Sequence, residues 1–477
     1  MTDDAAGRAA LVLNRRRIDR LTAAATALSA ARRPVAAIHV ATAAAELAWH
    51  RHGGVYRLPR VERLLRRWAV PAPPARVAGE ARTVLHVLSS AYDFGGHSRF
   101  ATRWIERDAG RRARVFLTEQ PPDVDPEWLR GLAVERHGPR EPVRARAVAL
   151  ARACATADVV VLHVHPQDPV PLLALPPGTP SILLNHADHA CWLDAGVTVV
   201  AHIRESARRL ADERRGLPDG SILPVPVDPR PLPDRAAARK ALGLPGDAVV
   251  ALTIGSNFKY GDGTEFLRLC EPMLAAYPAL FVLAVGPSGP AWERDRVRAL
   301  GVVPDVGPAL AASDLYLDSW PYSSLTSMLD AAAAGLPTIG RQLPEISGTF
   351  EAVDSPGLAR HVVATDDATW RAALDRLVAS PEARRSAGAA LAADVTAVHG
   401  RGWRDHLDAV YARALAGPPQ RRVDPPGFVD SPADRRLATV YRDDPNYPGL
   451  PALLHRRAGA AEREGALVLR ALAKAFR

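Results

Sequence analysis

The sequence is poor in cysteine, methionine, lysine and aromatic residues. Of its 477 residues only 3 are cysteine and 3 are methionine, and aromatic residues make up 6%. The cysteines, Cys154, Cys191 and Cys270, are widely spaced, so they match neither a disulfide framework nor a zinc-binding pattern. A reducing cytoplasm is therefore the expected compartment.

Lysine occurs only at positions 240, 259 and 474, so nearly all of the cations behind the net charge of +9 are arginine. No stripe of basic and aromatic residues of the kind that binds nucleic acid is present, and nucleic acid is not an expected partner. A basic surface would suit phosphorylated ligands or a membrane face. Peripheral membrane contact therefore stays open.

The sequence also lacks a long hydrophobic run. The most apolar early stretch, 34–49, is too short for a membrane span and contains His39 and Glu46. The acidic N-terminus, MTDDAAGR, does not show the charge order of a signal peptide. The length nevertheless suits two domains with extensions, and a hydrophobic content of 48% suits packed cores.

Residues 314–340, DLYLDSWPYSSLTSMLDAAAAGLPTIG, predict a strand, a loop, a helix and a second strand. Ser323 and Ser324 are N-cap candidates, the helix runs over 325–334, and Gly335 suits a left-handed C-terminal position. One face of this helix is expected to be buried, and it consists of Leu325, Met328, Leu329 and Ala332.

Thr326, Ser327 and Asp330 lie on another face of the same helix. Free main-chain N–H groups and hydroxyls at a helix N-terminus favour a phosphate, and a carboxylate one turn later can hold ribose hydroxyls. The alternative is an ordinary capped helix with Asp330 in solvent. These residues alone do not decide between the two.

The stretch resembles the donor-site segment of GT-B glycosyltransferases, especially the O-GlcNAc-transferase-like group and glycosyltransferase family 4-like proteins. The matching residues are Asp318, Pro321, Tyr322, Thr326, Ser327, Asp330, Ala334, Gly335 and Pro337. Two departures matter. Leu325 stands where the first group usually has His, and Tyr322 and Asp330 replace the glutamate pair of the retaining families.

A second match follows the first predicted strand, 83–90, whose apolar character is typical of a buried parallel strand. Gly95 and Gly96 allow close approach of a ligand, and His97 stands at the carboxyl end of the strand. This turn resembles the Gly-Gly-His turn of many GT-B enzymes, in which the resemblance places His near the reacting sugar. The alternative is a tight turn whose His satisfies its own loop.

Further strands, predicted at 158–165, 181–185 and 197–202, each end in polar residues, many of them histidine. Open α/β sheets bind ligands at the carboxyl ends of their strands, so this clustering predicts acceptor or phosphate contacts. A metal site formed by His186, Asp188 and His189 is the alternative, although their spacing matches no tight metal template.

The Pro-rich segment 223–234 predicts an interdomain hinge. After the next strand, 248–256, a loop carries Ser256, Asn257 and Lys259. A lysine there supplies a compact charge that can reach a diphosphate, and the resemblance implies that role. A solvated loop lysine is the alternative.

The predicted fold is α/β with the GT-B arrangement of two facing Rossmann-like domains, 81–225 for the acceptor and 226–416 for the donor. Residues 1–80 predict a helical extension, and 417–477 a linker with a helical tail to which no chemistry is assigned. The amphipathic segment 63–68 could pack on the first domain, meet a partner or lie on lipid; packing is the simplest interpretation.

The resemblance implies a hexosyl- or N-acetylhexosaminyl-transferase that takes a nucleotide-sugar as co-substrate, without metal or other cofactor. UDP is the nucleotide that it suggests, although the sequence leaves base, sugar and acceptor (glycan, protein or small molecule) open. Donor contacts are assigned to Gly95, Gly96, Ser256, Asn257, Lys259, Tyr322, Thr326, Ser327 and Asp330.

Because the glutamate pair of the retaining families is absent, the enzyme is expected to invert the anomeric configuration. Inversion in one displacement requires a base on the acceptor side. His97 is the first candidate, with an ordinary pKa of about 6.5, and His186 or Asp188 the second. The alternatives are a GT-B epimerase or phosphorylase and a non-catalytic scaffold that binds sugar nucleotides.

Overall fold

The computed structural model describes residues 2–76, 78–93, 95–228, 231–260, 264–342, 354–440, 442 and 447–476. The chain divides into a first unit, Met1–Leu223 with His406–Arg477, and a second unit, Pro224–Asp405. Parts of the predicted loops, at 94, 261–263 and 443–446, lie outside the described residues.

The first unit contains a parallel sheet in the order β3-β2-β1-β4-β5-β6-β7 within the described residues. Its strands are β1 (Thr83–Leu88), β2 (Arg112–Leu117), β3 (Ala133–Arg136), β4 (Val159–His163), β5 (Ser181–Asn185), β6 (Val199–His202) and β7 (Ser221–Ile222). The predicted strands β1, β4, β5 and β6 are confirmed. β2 is absent from the predicted set, because Arg112 and Arg114 interrupt its apolar pattern.

Helices precede and connect these strands. They are α1 (Thr2–Ala30), α2 (Pro34–His50), α3 (Pro59–Arg67), α4 (Gly96–Arg107), α5 (Val143–Cys154), α6 (Val170–Ala174) and α7 (Glu205–Leu210). α2 is apolar on nearly every side, with Ile38, Val40 and Leu47 buried, and a helix of that kind belongs inside a core. It packs against α1, and the predicted packing of the amphipathic segment is confirmed by the buried Leu64 and Leu65 of α3.

The second unit contains a parallel sheet in the order β10-β9-β8-β11-β12-β13 within the described residues. Its strands are β8 (Val249–Ile254), β9 (Leu280–Val285), β10 (Val297–Ala299), β11 (Leu315–Leu317), β12 (Thr338–Arg341) and β13 (Val362–Ala364). Its helices are α8 (Arg235–Ala241), α9 (Thr264–Ala276), α10 (Gly307–Ala312), α11 (Leu325–Ala333), α12 (Asp367–Ala379) and α13 (Pro381–Val395). Both sheets thus follow the doubly wound pattern of a Rossmann-like domain.

The chain then returns to the first unit along α14 (Trp403–Ala416), followed by α15 (Pro432–Leu437), α16 (Leu450–Ala460) and α17 (Arg463–Ala475). α16 and α17 pack against α2, so both terminal segments share the core of the first sheet. No helix within the described ranges combines the length and the apolar character needed to cross a bilayer.

Candidate functional site

In the second unit, the loop between β11 and α11 is held by the buried carboxylate of Asp318. Its Oδ1 accepts hydrogen bonds from the N–H groups of Ser319 and Ser324, each at 2.9 Å. Burial raises the pKa of Asp318, against the opposing effect of Ser323, Ser324 and Lys259. Asp318 therefore fixes the main chain that leads into the predicted phosphate-binding helix.

Ser324 occupies the predicted N-cap position of α11, but its hydroxyl does not cap the helix. Ser324 Oγ instead lies 2.8 Å from Ser319 Oγ, which donates to the main-chain oxygen of Tyr322 at 2.6 Å. The first helical turn consequently has no side-chain cap from Ser324, and an anion could take that place.

Lys259 lies in a one-turn 3₁₀ helix after β8, Asn257–Tyr260. Its Nζ donates to the main-chain oxygen of Ser323 at 2.5 Å, and its main-chain oxygen accepts from the N–H of Tyr322 at 3.2 Å. Because β8 and β11 are neighbours in the sheet, the two predicted donor segments meet at one sheet edge. The structure thus places a lysine ammonium at the start of α11.

Two glycines beside this edge were not predicted. A Cβ on Gly286, whose φ is +102°, would lie 2.1 Å from the main-chain oxygen of Gly255, and a Cβ on Gly255 would lie 2.7 Å from Ser324 Oγ. Only glycine allows the ends of β8 and β9 to approach so closely beside the β11–α11 loop. Each glycine directly follows an apolar strand, and that position in the sequence is the signal by which it could have been predicted.

The remaining predicted donor residues differ in exposure. Ser256 and Asn257 are exposed, Tyr322, Thr326 and Ser327 are half-buried, and Asn257 Oδ1 accepts from the N–H of Ser288 at 3.3 Å. Asp330 is only 7% exposed. The alternative of a solvated Asp330 is wrong, because α11 turns this residue toward the interior. The predicted apolar face of α11 is buried as expected.

In the first unit, the turn after β1 places His97 in the first turn of α4. Gly95 has a φ of +94° and Gly96 begins the helix, so the turn needs glycine at position 95. Nε2 of His97 donates to the main-chain oxygen of His163 at 2.5 Å. In the neutral ring this leaves the lone pair on Nδ1.

His97 belongs to a group of imidazoles that the sequence places on separate loops. The ring centroids of His97 and His186 are 4.4 Å apart, and those of His97 and His165 are 5.9 Å apart. His186 also contacts Trp192 edge-on at 5.2 Å. The strand ends β1, β4 and β5 therefore converge, as their polar residues predict.

Burial lowers the pKa of His97 to about 4, and His165 adds to this shift. The expectation of an ordinary pKa for His97 is therefore wrong. Burial, together with His97 and His165, also holds the pKa of His186 well below its usual value. Both rings are neutral near pH 7, which is the form that accepts a proton.

The carboxylate of Asp188 is engaged elsewhere. Arg204 Nε donates to Asp188 Oδ2 at 2.8 Å, and Arg204 Nη2 contacts the same oxygen. Burial alone would raise the pKa of Asp188, but Arg204 and His189 outweigh it and lower the pKa to about 2. This geometry favours a structural ion pair over the second-choice role of base.

The alternative metal site at His186, Asp188 and His189 gains no support from the geometry. His189 Nδ1 lies 3.6 Å from Asp188 Oδ1, while Arg204 occupies the other carboxylate oxygen. In the part of the chain that the structure describes, no group of three or more His, Cys, Asp or Glu side chains is arranged to hold a metal ion.

Asp168 is a second buried carboxylate, and it is absent from the predicted site residues. Its Oδ2 accepts from Ser89 Oγ at 2.6 Å and from Thr118 Oγ1, and Ser89 Oγ accepts from the N–H of His165 at 2.8 Å. Burial and nearby Glu119 raise the pKa of Asp168. One carboxyl group thus ties together the ends of β1, β2 and β4. Its sequence signal is an acidic residue soon after an apolar strand.

No family model matches the chain. The chain is 32% identical over 267 residues to D-inositol 3-phosphate glycosyltransferase of Stackebrandtia nassauensis, and the match covers 50% of this chain and 57% of that protein. The chain therefore spans little more than half the length of this relative.

Solved structures that share the fold include the following two. The O-GlcNAc transferase of Thermobaculum terrenum is 16% identical with a TM-score of 0.54, over 85% of this chain and 82% of that one. Anabaena HepE in complex with UDP and glucose is 12% identical with a TM-score of 0.52, over 69% of this chain and 100% of that one. The fold is that of GT-B glycosyltransferases, and the resemblance stated from residues 318–337 is confirmed at this level.

Proposed function

We propose that this chain is a glycosyltransferase that moves a sugar from a nucleoside diphosphate sugar to an acceptor. The observation that carries the proposal is the contact of Lys259 with Ser323 at the start of α11. When the glycosidic bond breaks, negative charge develops on the leaving diphosphate. A fixed ammonium beside a helix N-terminus stabilises that charge without rearrangement.

The donor contacts remain assigned to the two glycines at 95 and 96 and to the residues around Lys259 and α11. The half-buried Thr326 and Ser327 lie in the first turn of α11, where hydroxyls can donate to phosphate oxygens. Asp330 lies one turn further and supplies the carboxylate proposed for ribose hydroxyls. UDP is the first nucleotide to test, because it is the one bound to HepE.

We assign the acceptor-side base to Nδ1 of His97, with inversion of the anomeric centre. Nε2 is committed to the His163 carbonyl, and the low pKa keeps the ring neutral. His186 is the second choice, and Asp188 is disfavoured by its pairing with Arg204. No metal is assigned, because Lys259 and α11 take the role of a phosphate-neutralising cation.

The acceptor is the open part of this proposal. The name of the relative from Stackebrandtia nassauensis makes inositol 3-phosphate the first acceptor to try. Neutral sugars and cyclitols should be tested beside it as acceptors without a phosphate. They are included because no residue is assigned to bind a phosphate on the acceptor.

The test has two steps. Thermal-shift measurements with UDP, ADP, GDP and their sugars should show stabilisation by one nucleotide series, since a ligand that binds only the folded state stabilises it. Nucleotide release from the matching sugar nucleotide should then increase when acceptor is added. Stabilisation without any release would make the chain a sugar-nucleotide-binding protein, and no stabilisation by any member would overturn the proposal.

A further inference from the structure

A groove of about 1290 Å³ runs along the first unit between α1, α3 and the segment 424–427. Its floor is apolar and includes the small, exposed side chains of Ala23, Ala27 and Ala30 on α1. We call it the arginine groove, because five of the residues that line it are Arg15, Arg57, Arg60, Arg63 and Arg67.

Two of these arginines are already paired. Arg57 is buried and its Nε donates to Glu62 at 3.1 Å, while Arg15 Nε donates to Asp19 at 2.9 Å. The other three, at positions 60, 63 and 67, are exposed and form no ion pair with any described residue. Arg67 also lies over the Trp68 ring, 5.8 Å from its centroid. The carboxylates that line the groove are Asp19 and Asp424, so arginine outnumbers acid.

The three unpaired arginines are spaced three and four residues apart, so they share one face of α3. The other face of the helix carries Val61, Leu64 and Leu65, which are buried in the core of the unit. α3 therefore cannot insert an apolar face into a bilayer. The outward face of α3 carries a row of guanidinium groups beside the apolar floor of the groove.

We propose that the arginine groove binds the phosphate headgroup of an anionic phospholipid and so holds this unit against a membrane surface. Guanidinium groups bind phosphate oxygens in a bidentate manner, which suits a row of phosphates or one headgroup shared by neighbouring arginines. A free phosphate would use the arginines but leave the apolar floor in water. A phospholipid covers both, with its glycerol and first acyl carbons on the floor.

The composition of the floor also argues against an acidic protein segment. Docked helices are anchored by large side chains that enter deep pockets. Alanine side chains at positions 23, 27 and 30 make the α1 side of the groove shallow and smooth. The contact with lipid is therefore electrostatic in the main, and it weakens as salt is added.

The test is co-sedimentation of the full-length protein with vesicles. Phosphatidylcholine vesicles with about 30% phosphatidylglycerol should retain the protein, and pure phosphatidylcholine vesicles should not. The triple variant R60Q/R63Q/R67Q should lose about tenfold or more in partitioning. The matched control R268Q/R376Q/R385Q removes the same charge from exposed positions of the second unit and should bind nearly as the unmodified protein does.

A further variant, Ala27→Glu, tests the floor. Ala27 is exposed on α1, so the helix should tolerate the change while a carboxylate enters the groove and lowers vesicle binding. Circular dichroism checks that each variant is folded. Failure of the unmodified protein to bind anionic vesicles, or equal loss in both triple variants, would overturn the proposal. Stabilisation by inorganic phosphate without vesicle binding would show that the groove binds a free anion and not a lipid. Binding of an acidic helical peptide without vesicle binding would show that the partner is a protein.

Discussion

Nζ of Lys259 donates a hydrogen bond to the main-chain oxygen of Ser323 at 2.5 Å. This contact joins the loop after β8 to the residue before the N-cap of α11. A lysine whose ammonium is held there adds a full positive charge to the partial positive charge of the helix end. The pair therefore defines the place in the second unit where a diphosphate would be held.

Replacing Lys259 with Gln should weaken UDP binding by about 1–3 kcal/mol, because a charge-assisted hydrogen bond to phosphate is lost. Lys240→Gln is the matched control, since Lys240 is exposed on α8. Isothermal titration calorimetry with UDP measures both. Equal affinity in the Lys259 variant and the unmodified protein would mean that Lys259 only braces the loop.

Asp330→Asn should weaken binding of UDP but not of pyrophosphate, because the carboxylate is assigned to the ribose hydroxyls. Asparagine is preferred to alanine here, since Asp330 is 7% exposed and a truncated side chain would leave a void. Calorimetry with both ligands separates the two effects. A parallel loss for UDP and pyrophosphate would indicate that Asp330 shapes α11 rather than contacting ribose.

The segment around α11 could be predicted from the sequence because local rules decide its structure. Apolar residues repeat at helical spacing, Ser324 precedes the helix, and Gly335 ends it with a φ of +84°. Pro337 then starts the next strand. Each of these signals acts over only a few residues, so the sequence suffices to place them.

The contacts between distant residues could not be predicted in this way. Nδ1 of His86 lies 3.1 Å from Nε2 of His163 because β1 and β4 are neighbours in the sheet. Arg204 reaches Asp188 for a similar reason, as β5 and β6 are adjacent. Periodicity shows that a strand exists but not which strand lies beside it. The roles assigned to buried polar residues at strand ends therefore depend on the sheet order.

Activity, once measured with a suitable acceptor, should persist in excess EDTA. Stabilisation of the negative charge on the leaving diphosphate is assigned to Lys259 and the N-terminus of α11. Neither group depends on a divalent cation. Nucleotide release should be followed with and without the chelator, and with Mg²⁺ restored. Complete loss that Mg²⁺ reverses would instead require a cation on the diphosphate.

The first unit should lose stability as the pH falls from about 7 to about 5. Burial lowers the pKa of His86 and of His202 to about 3, against about 6.5 in an unfolded chain. The unfolded chain therefore binds more protons in this range, and each histidine costs roughly 1 kcal/mol of unfolding free energy per pH unit. Two carboxyl groups act in the opposite direction, because burial raises the pKa of Glu62 to about 7 and also raises that of Asp168. The histidines outnumber them, since burial also lowers the pKa of His97 to about 4 and that of His50 to about 2.

Urea unfolding at several pH values measures this dependence. His202→Gln removes one of the titrating groups and keeps an oxygen that can accept from Asn185, which now donates to His202 Nδ1 at 2.9 Å. The slope of unfolding free energy against pH should fall in that variant. A midpoint that stays constant down to about pH 5 would show that these histidines are protonated in the folded protein.

His97 is predicted to be the acceptor-side base of a transfer that inverts the anomeric configuration. Inversion in one displacement needs a neutral base on the acceptor side, and Nδ1 of His97 is left for that role by the bond from Nε2 to His163. His97→Ala should lower turnover by about 10²–10⁴ while UDP affinity is unchanged. His137→Ala is the control, because His137 is paired with Glu135 and Glu141 away from this group of imidazoles.

The pH profile sharpens this test. A base must be unprotonated, so with a pKa of about 4 for His97 the turnover should stay level from neutral pH to about pH 5 and fall only as the pH approaches 4. NMR of the first-formed product gives its anomeric configuration. A product with the configuration of the donor would refute inversion. Near-normal turnover in His97→Ala would transfer the role to His186, whose ring lies 4.4 Å away between centroids.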